Sequence, residues 1–205
     1  MIPFGITHLD LRSLDTALFH KVNDLAGHNA GLDAIMIGIA RYCPIVFALA
    51  LIGLWLSWKP RNQRTAFLAG VAVLAGLGLG QLTGKMIPRP RPYMSGSVSQ
   101  LIPRSLDTSF PSDHAILGFA AAVGVLWFSR RLGLALLGLA AVLAFSRVYV
   151  GAHYPGDVIG GAVLGSVTAA AVAFMSWRGP FHSGLEFLFR ILARLHVASQ
   201  DGVSR

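Results

Sequence analysis

Three short clusters set reactive residue types side by side in an otherwise aliphatic chain: "GKMIPRPRP" at 84–92, "FPSDH" at 110–114 and "SRVYVGAHYPGD" at 146–157. In the first, Pro88, Pro90 and Pro92 stiffen the backbone into an extended form, so Arg89 and Arg91 point in related directions. Guanidinium groups bind phosphate oxygens as a planar fork. In the second, Pro111 cannot continue a helix from behind, whereas Ser112 is a strong cap for the helix that follows. The free amides of that first turn, with the helix dipole behind them, make an anion site in which Asp113 and His114 also sit. In the third, Ser146 and Arg147 end one apolar run, and Pro155 suits the first turn of the next helix. Asp157, close behind, is placed to reach back toward the imidazole of His153. A carboxylate on one ring nitrogen fixes the tautomer and raises the basicity of the other, which prepares a nucleophile or a base.

Each cluster taken singly has a plainer reading: a basic loop on lipid headgroups, a helix cap with a headgroup contact, a structural His–Asp pair. Taken together they fit phosphoryl transfer, in which arginines and amides neutralise the equatorial oxygens while a nucleophile and a leaving-group acid lie in line.

The elements that must position these residues are membrane helices. The chain has 205 residues, 54% hydrophobic and 13% charged, with a mean hydropathy of +0.62; an ordinary soluble domain is roughly 25% charged. One all-α domain is expected over 1–205, with about five transmembrane helices at 33–58, 65–84, 113–128, 132–148 and 157–177. Residues 8–30 read as an amphipathic helix or pair of helices at the interface, and the tail from 181 as a second surface-lying helix. Arg41, inside the first span, is expected to face the bundle or a polar neighbour. The acidic residues in "MIPFGITHLDLRSLD" argue against a cleavable signal peptide. The net charge of +8 does not point to nucleic acid, because the basic residues are scattered between apolar runs. The single cysteine, Cys43, lies in an apolar run and reads as packing.

Lys59, Arg61 and Arg64 share one short loop, Arg130 and Arg131 another, and Arg178 follows the last span. With five spans these groups fall on one side, which should be cytoplasmic. The three polar clusters then meet the membrane on the outer side, where Lys85, Arg89, Arg91 and Arg104 form a positive group suited to an anionic ligand.

The Arg91–Pro92 pair, "PSDH" at 111–114, and Ser146–Arg147 followed by His153 and Asp157 resemble the three signature motifs of the type 2 phosphatidate phosphatase superfamily. The resemblance runs over 85–157 and implies roles by position. His153 would attack phosphorus to give a phosphohistidine with Asp157 in support, His114 would protonate the leaving oxygen, and Arg91, Arg147 and Ser112 would hold the phosphate. No metal and no cofactor are implied. Lys85 stands six residues before Arg91, where the superfamily usually has seven. Asp113 replaces the usual glycine, which is similar to the bacterial undecaprenyl-diphosphatase branch associated with bacitracin resistance. Asp113 would turn Lys85, Arg89 or Arg104 toward the distal phosphate of a diphosphate. The implied substrate is a polyprenyl diphosphate lipid, in a bacterial inner membrane, with membrane lipids around it and the site facing outward. Vanadium haloperoxidases share such a site but are soluble. The readings left open are a broader lipid phosphatase acting on phosphatidate or phosphatidylglycerol phosphate, a lipid phosphotransferase, and a transporter or scaffold that binds lipid without turnover.

Overall fold

Proline and asparagine mark where the helices begin. The computed structural model describes residues 8–178 and Gly184. Its elements are α1 (His8–Asn23), α2 (Ala30–Leu56), α3 (Pro60–Met86), the single turn α4 (Pro92–Ser95), α5 (Asp113–Leu126), α6 (Arg130–Tyr149) and α7 (Pro155–Met175). Asn29 caps α2 by accepting the amides of Gly31 and Leu32 at 3.0 and 3.1 Å. Pro60, Pro92 and Pro155 each open a helix at a position whose N–H would have no partner anyway.

α5 is the hub, packed against α3, α6 and α7, while α2 lies outside on α3 and α6. Four helices, α2, α3, α6 and α7, are long and apolar enough to cross a membrane. Their outward faces carry leucine, isoleucine and valine, among them Leu49, Ile52, Leu74, Val163 and Val167. The protein is a multi-pass membrane helix bundle. Helix α5 has only 14 residues, about 21 Å of rise, and its first turn lies beside Gly80 of α3 and Gly161 of α7, well inside the ends of those helices. Close packing against it requires glycine at Gly165 of α7, where a Cβ would lie 2.5 Å from the Ile116 carbonyl oxygen, whereas one on Gly80 of α3 would meet the Ile116 side-chain end at 2.5 Å.

The basic loops meet at one end of the bundle. Arg61 donates to the Phe128 carbonyl, and Arg64 donates to that of Ser176 at 3.1 Å. At the opposite end the segment from 87 to 112 folds over the starts of α5 and α7. Helix α1 docks beside it, burying Phe19 against Tyr154 with ring centroids 5.3 Å apart and leaving Leu11, Leu14 and Leu18 exposed. Buried Asn23 ties the end of α1 to the segment and to α6. Its amide nitrogen donates to the carbonyls of Ser99 and Tyr149 at 2.9 and 2.8 Å.

Of the two expectations for Arg41, the bundle or a polar neighbour, the bundle is not the one met. Ala40 takes the buried position against Tyr149 and Val150, and Arg41 turns outward, 5.6 Å over the Tyr42 ring. The amphipathic C-terminal tail lies outside the described residues.

Candidate active site

The sunken start of α5 leaves a cavity of about 250 Å³, walled by α3, α5, the end of α6 and the segments before α5 and α7. Arg91, Asp113, His114, Arg147 and His153 all line it. The sequence therefore places five of its nine candidate residues around one space. Ser112 and Asp157 are fully buried behind the wall, and Lys85 and Arg89 do not border the cavity.

His153 is 2% exposed. Its Nδ1 lies 2.8 Å from the Ser109 carbonyl oxygen, an acceptor only, so Nδ1 carries the ring proton and donates it. Nε2 then holds a lone pair, and it faces Arg91 Nη1 at 3.3 Å. Burial, followed by the positive charges of Arg91 and Arg147, pushes the imidazole pKa well below its ordinary value. The result is a neutral ring with a fixed tautomer, its one lone pair on Nε2 within hydrogen-bond reach of the Arg91 guanidinium.

Asp157 does not hold that ring directly, contrary to expectation: its Oδ2 is 3.9 Å from Nδ1, too far for a hydrogen bond. As the third residue of α7 it closes a capping box instead, accepting the Tyr154 amide at 2.9 Å. The same oxygen accepts the Ser109 hydroxyl at 2.6 Å, so Ser109 stands between carboxylate and imidazole. Ser112 also departs from its expected role. It occupies the cap position of α5 but makes no side-chain cap bond, and its hydroxyl has no partner among the described residues. Arg147 Nε is likewise buried without a partner. Two unpaired buried donors at one site are costly unless an acceptor arrives, and an anion in the cavity would supply one.

Arg91 is held from several sides. Its Nη1 donates to the Ala152 carbonyl at 3.2 Å, and its Nη2 donates to Asp107 Oδ1 at 2.9 Å. Ser105 also donates to that carboxylate. Burial would raise the Asp107 pKa, but the Ser105 hydroxyl and Arg91 outweigh it and hold it below the usual carboxylate range. Asp107 thus occupies part of the Arg91 fork as an anion.

Three further expectations are corrected. Arg89 points away from the cavity. It donates to Asp157 Oδ1 at 2.8 Å and Asp15 Oδ2 at 2.6 Å, with its guanidinium 4.0 Å over the Tyr154 ring. Lys85 is exposed in the last turn of α3. Asp113 orients none of the basic side chains expected of it: Gln81 of α3 donates to its Oδ2 at 3.0 Å, while Arg104 lies over Tyr93 and bonds Gln100. Sequence reading passed over Ser109, Asp107, Gln81 and Asp15. Ser109 and Asp107 lie in "SLDTSFPSDH", where polar density just before the "PSDH" stretch was the available signal. Among the described residues no group of three or more His, Cys, Asp or Glu side chains is placed to share a metal ion.

Residues 65–180 match the PAP2 superfamily. The undecaprenyl-diphosphatase BcrC of Bacillus subtilis (strain 168) is 34% identical over 161 residues, which is 78% of this chain and 81% of that protein. The bacitracin transport permease protein BcrC of Bacillus licheniformis is 31% identical over 193 residues, 94% of this chain and 92% of that protein. In fold the chain is similar to the crystal structure of Aquifex aeolicus LpxE, with a TM-score of 0.67 at 24% identity over 78% of this chain and 94% of the other. The segment matched by the superfamily contains every residue that lines the cavity, and the chain belongs to the PAP2 superfamily.

Proposed function

We propose that the protein is a membrane lipid phosphatase that hydrolyses undecaprenyl diphosphate to undecaprenyl phosphate and inorganic phosphate through a phosphohistidine on His153. The observation that carries this reading is the neutral, tautomer-fixed imidazole whose Nε2 faces Arg91 across a cavity shared with Arg147 and His114. The identity with an undecaprenyl-diphosphatase over most of the chain supports the choice of substrate.

In the first step Nε2 of His153 bonds to the terminal phosphorus and the bond from phosphorus to the bridging oxygen breaks. Undecaprenyl phosphate leaves, taking a proton from His114 on the bridging oxygen. Arg91 and Arg147, with the Ser112 hydroxyl, meet the charge on the equatorial oxygens. The positive charge that develops on the phosphorylated ring is met by Nδ1–H on the Ser109 carbonyl, with Asp157 behind it. Water then attacks the phosphohistidine and gives a proton to His114, and the P–N bond breaks to release phosphate and the free ring. The cavity faces the outside of a bacterial inner membrane in this reading, because the short basic loops lie at the opposite end of the bundle.

The test is phosphate release by the purified protein from undecaprenyl diphosphate, a monophosphate lipid and a water-soluble diphosphate. Turnover is expected on the lipid diphosphate and almost none in His153→Ala. His114→Ala loses about 10²- to 10⁴-fold where the leaving group is an alkoxide, and less on a diphosphate, whose leaving group is already acidic. Release that persists in His153→Ala overturns the mechanism. A faster rate on the monophosphate lipid overturns the substrate assignment.

A further inference from the structure

Behind His153 a chain of charge-assisted contacts runs out of the polar clusters and ends on α1. The Ser109 carbonyl takes the Nδ1 proton of His153 at 2.8 Å and the Ser109 hydroxyl donates to Asp157 at 2.6 Å. Asp157 accepts Arg89 at 2.8 Å, and Arg89 donates its other terminal nitrogen to Asp15 of α1 at 2.6 Å. The second oxygen of Asp15 accepts the Gly156 amide in the first turn of α7 at 2.7 Å. One carboxylate therefore grips both the backbone that precedes Asp157 and the guanidinium bonded to it. The approach depends on glycine, since a Cβ at position 156 would stand 3.0 Å from Asp15 Oδ2.

We propose that Asp15 is a positioning residue for the phosphatase reaction: by fixing Arg89 it holds Asp157 and Ser109 in the arrangement that orients His153, so that turnover depends on the seating of α1. The geometry explains why two carboxylates surround one guanidinium. Arg89 alone would neutralise Asp157 and cancel its effect on the ring. With Asp15 added, the group keeps one net negative charge behind an imidazole that becomes cationic when phosphorylated. Asp15 also decides which way the Arg89 fork points, and with it which oxygen of Asp157 remains for Ser109. None of these groups except His153 borders the cavity; Asp15 and Arg89 border a separate groove between α1 and the start of α7, so an effect confined to kcat separates positioning of His153 from lipid binding in that groove.

The inference rests on His153 being the nucleophile, and its test has a readout that does not need turnover. Asp15→Asn keeps an oxygen for the Gly156 amide but presents an N–H₂ to Arg89, donor against donor. For this variant kcat on undecaprenyl diphosphate is expected to fall at least tenfold with KM within twofold of wild type. Asp15→Glu, which restores the carboxylate, is expected to recover most of that loss. In protein labelled with ¹⁵N-histidine, the Nδ1–H signal, assigned by its absence in His153→Gln, should shift or broaden in Asp15→Asn and return in Asp15→Glu. An unchanged kcat in Asp15→Asn, or a fall in kcat with an unchanged imidazole signal, overturns the proposal. If the wild type hydrolyses no lipid phosphate, the phosphatase reading falls, and the imidazole signal of Asp15→Asn still decides whether Asp15 orients the ring.

Discussion

At His153 one ring nitrogen is committed to the Ser109 carbonyl and the other faces Arg91, so protonation has no acceptor to reward it. This sets a pH dependence with a definite sign. The native ring stays neutral well below 6.5, the ordinary histidine value, whereas the unfolded ring takes up a proton near that pH. The unfolded state then binds more protons, and stability falls as pH drops through about 6.5 toward the native pKa. Melting temperatures of wild type and His153→Gln followed over that range should show a steeper acid decline in wild type; parallel curves would contradict the neutral ring. Asp113 makes a second case. Its carboxylate lines the cavity with Gln81 as its hydrogen-bond partner, so it repels an anion there. Asp113→Gly should lower the inhibition constant of inorganic phosphate about threefold to tenfold, since ~1.4 kcal/mol corresponds to a factor of ten. A weaker phosphate affinity in the variant would show that Asp113 assists binding.

Helix α5 explains why the site is sunk and why its neighbours are rich in small residues. Its first two turns lie between Gly80 of α3 and Gly165 of α7, and the α7 face is packed backbone against backbone, too tightly for a side chain. A Cβ at 165 meets backbone, with Ile116 O at 2.5 Å and Ala120 N at 3.0 Å, and backbone cannot turn aside as a flexible side chain does. Gly165→Ala should therefore destabilise the protein by about 1–3 kcal/mol, read as a lower midpoint in denaturation from detergent micelles. It should also cost activity, because α7 carries Asp157 and α5 carries His114. At Gly78, where nothing lies within 4 Å of an added Cβ, the same substitution should leave both unchanged, and equal losses at the two positions would refute the packing argument.

The whole molecule divides its charge by ends. Arg61 and Arg64 close the gaps between helix ends at one pole, while Arg89 and Arg91 at the other pole turn toward carboxylates. The orientation can be read with an impermeant maleimide on intact cells in a Cys43→Ala background. Leu106 is 97% exposed at the cavity end, so Leu106→Cys should label from outside. Lys59→Cys, in the exposed loop at the other pole, should label only after permeabilisation. The reverse pattern would put the cavity on the cytoplasmic face.

The sequence by itself determined the membrane solvent, four of the expected spans to within about five residues with the fifth present as the shorter apolar helix α5, and the residues that line the cavity at 91, 113, 114, 147 and 153. These are local properties: apolar run length, proline at helix starts, and motif spacing on single turns. Tertiary structure decided who holds whom. Asp157 sits four residues after His153 and looked like its partner, yet capping geometry turned it to Tyr154 and Ser109. Arg89 sits two residues from Arg91 and looked like its twin, yet Arg91 met Asp107 and the Ala152 carbonyl while Arg89 met Asp15, 74 residues distant in sequence. Hydrogen-bond partners across such separations depend on how the helices pack, and no spacing within one segment encodes them.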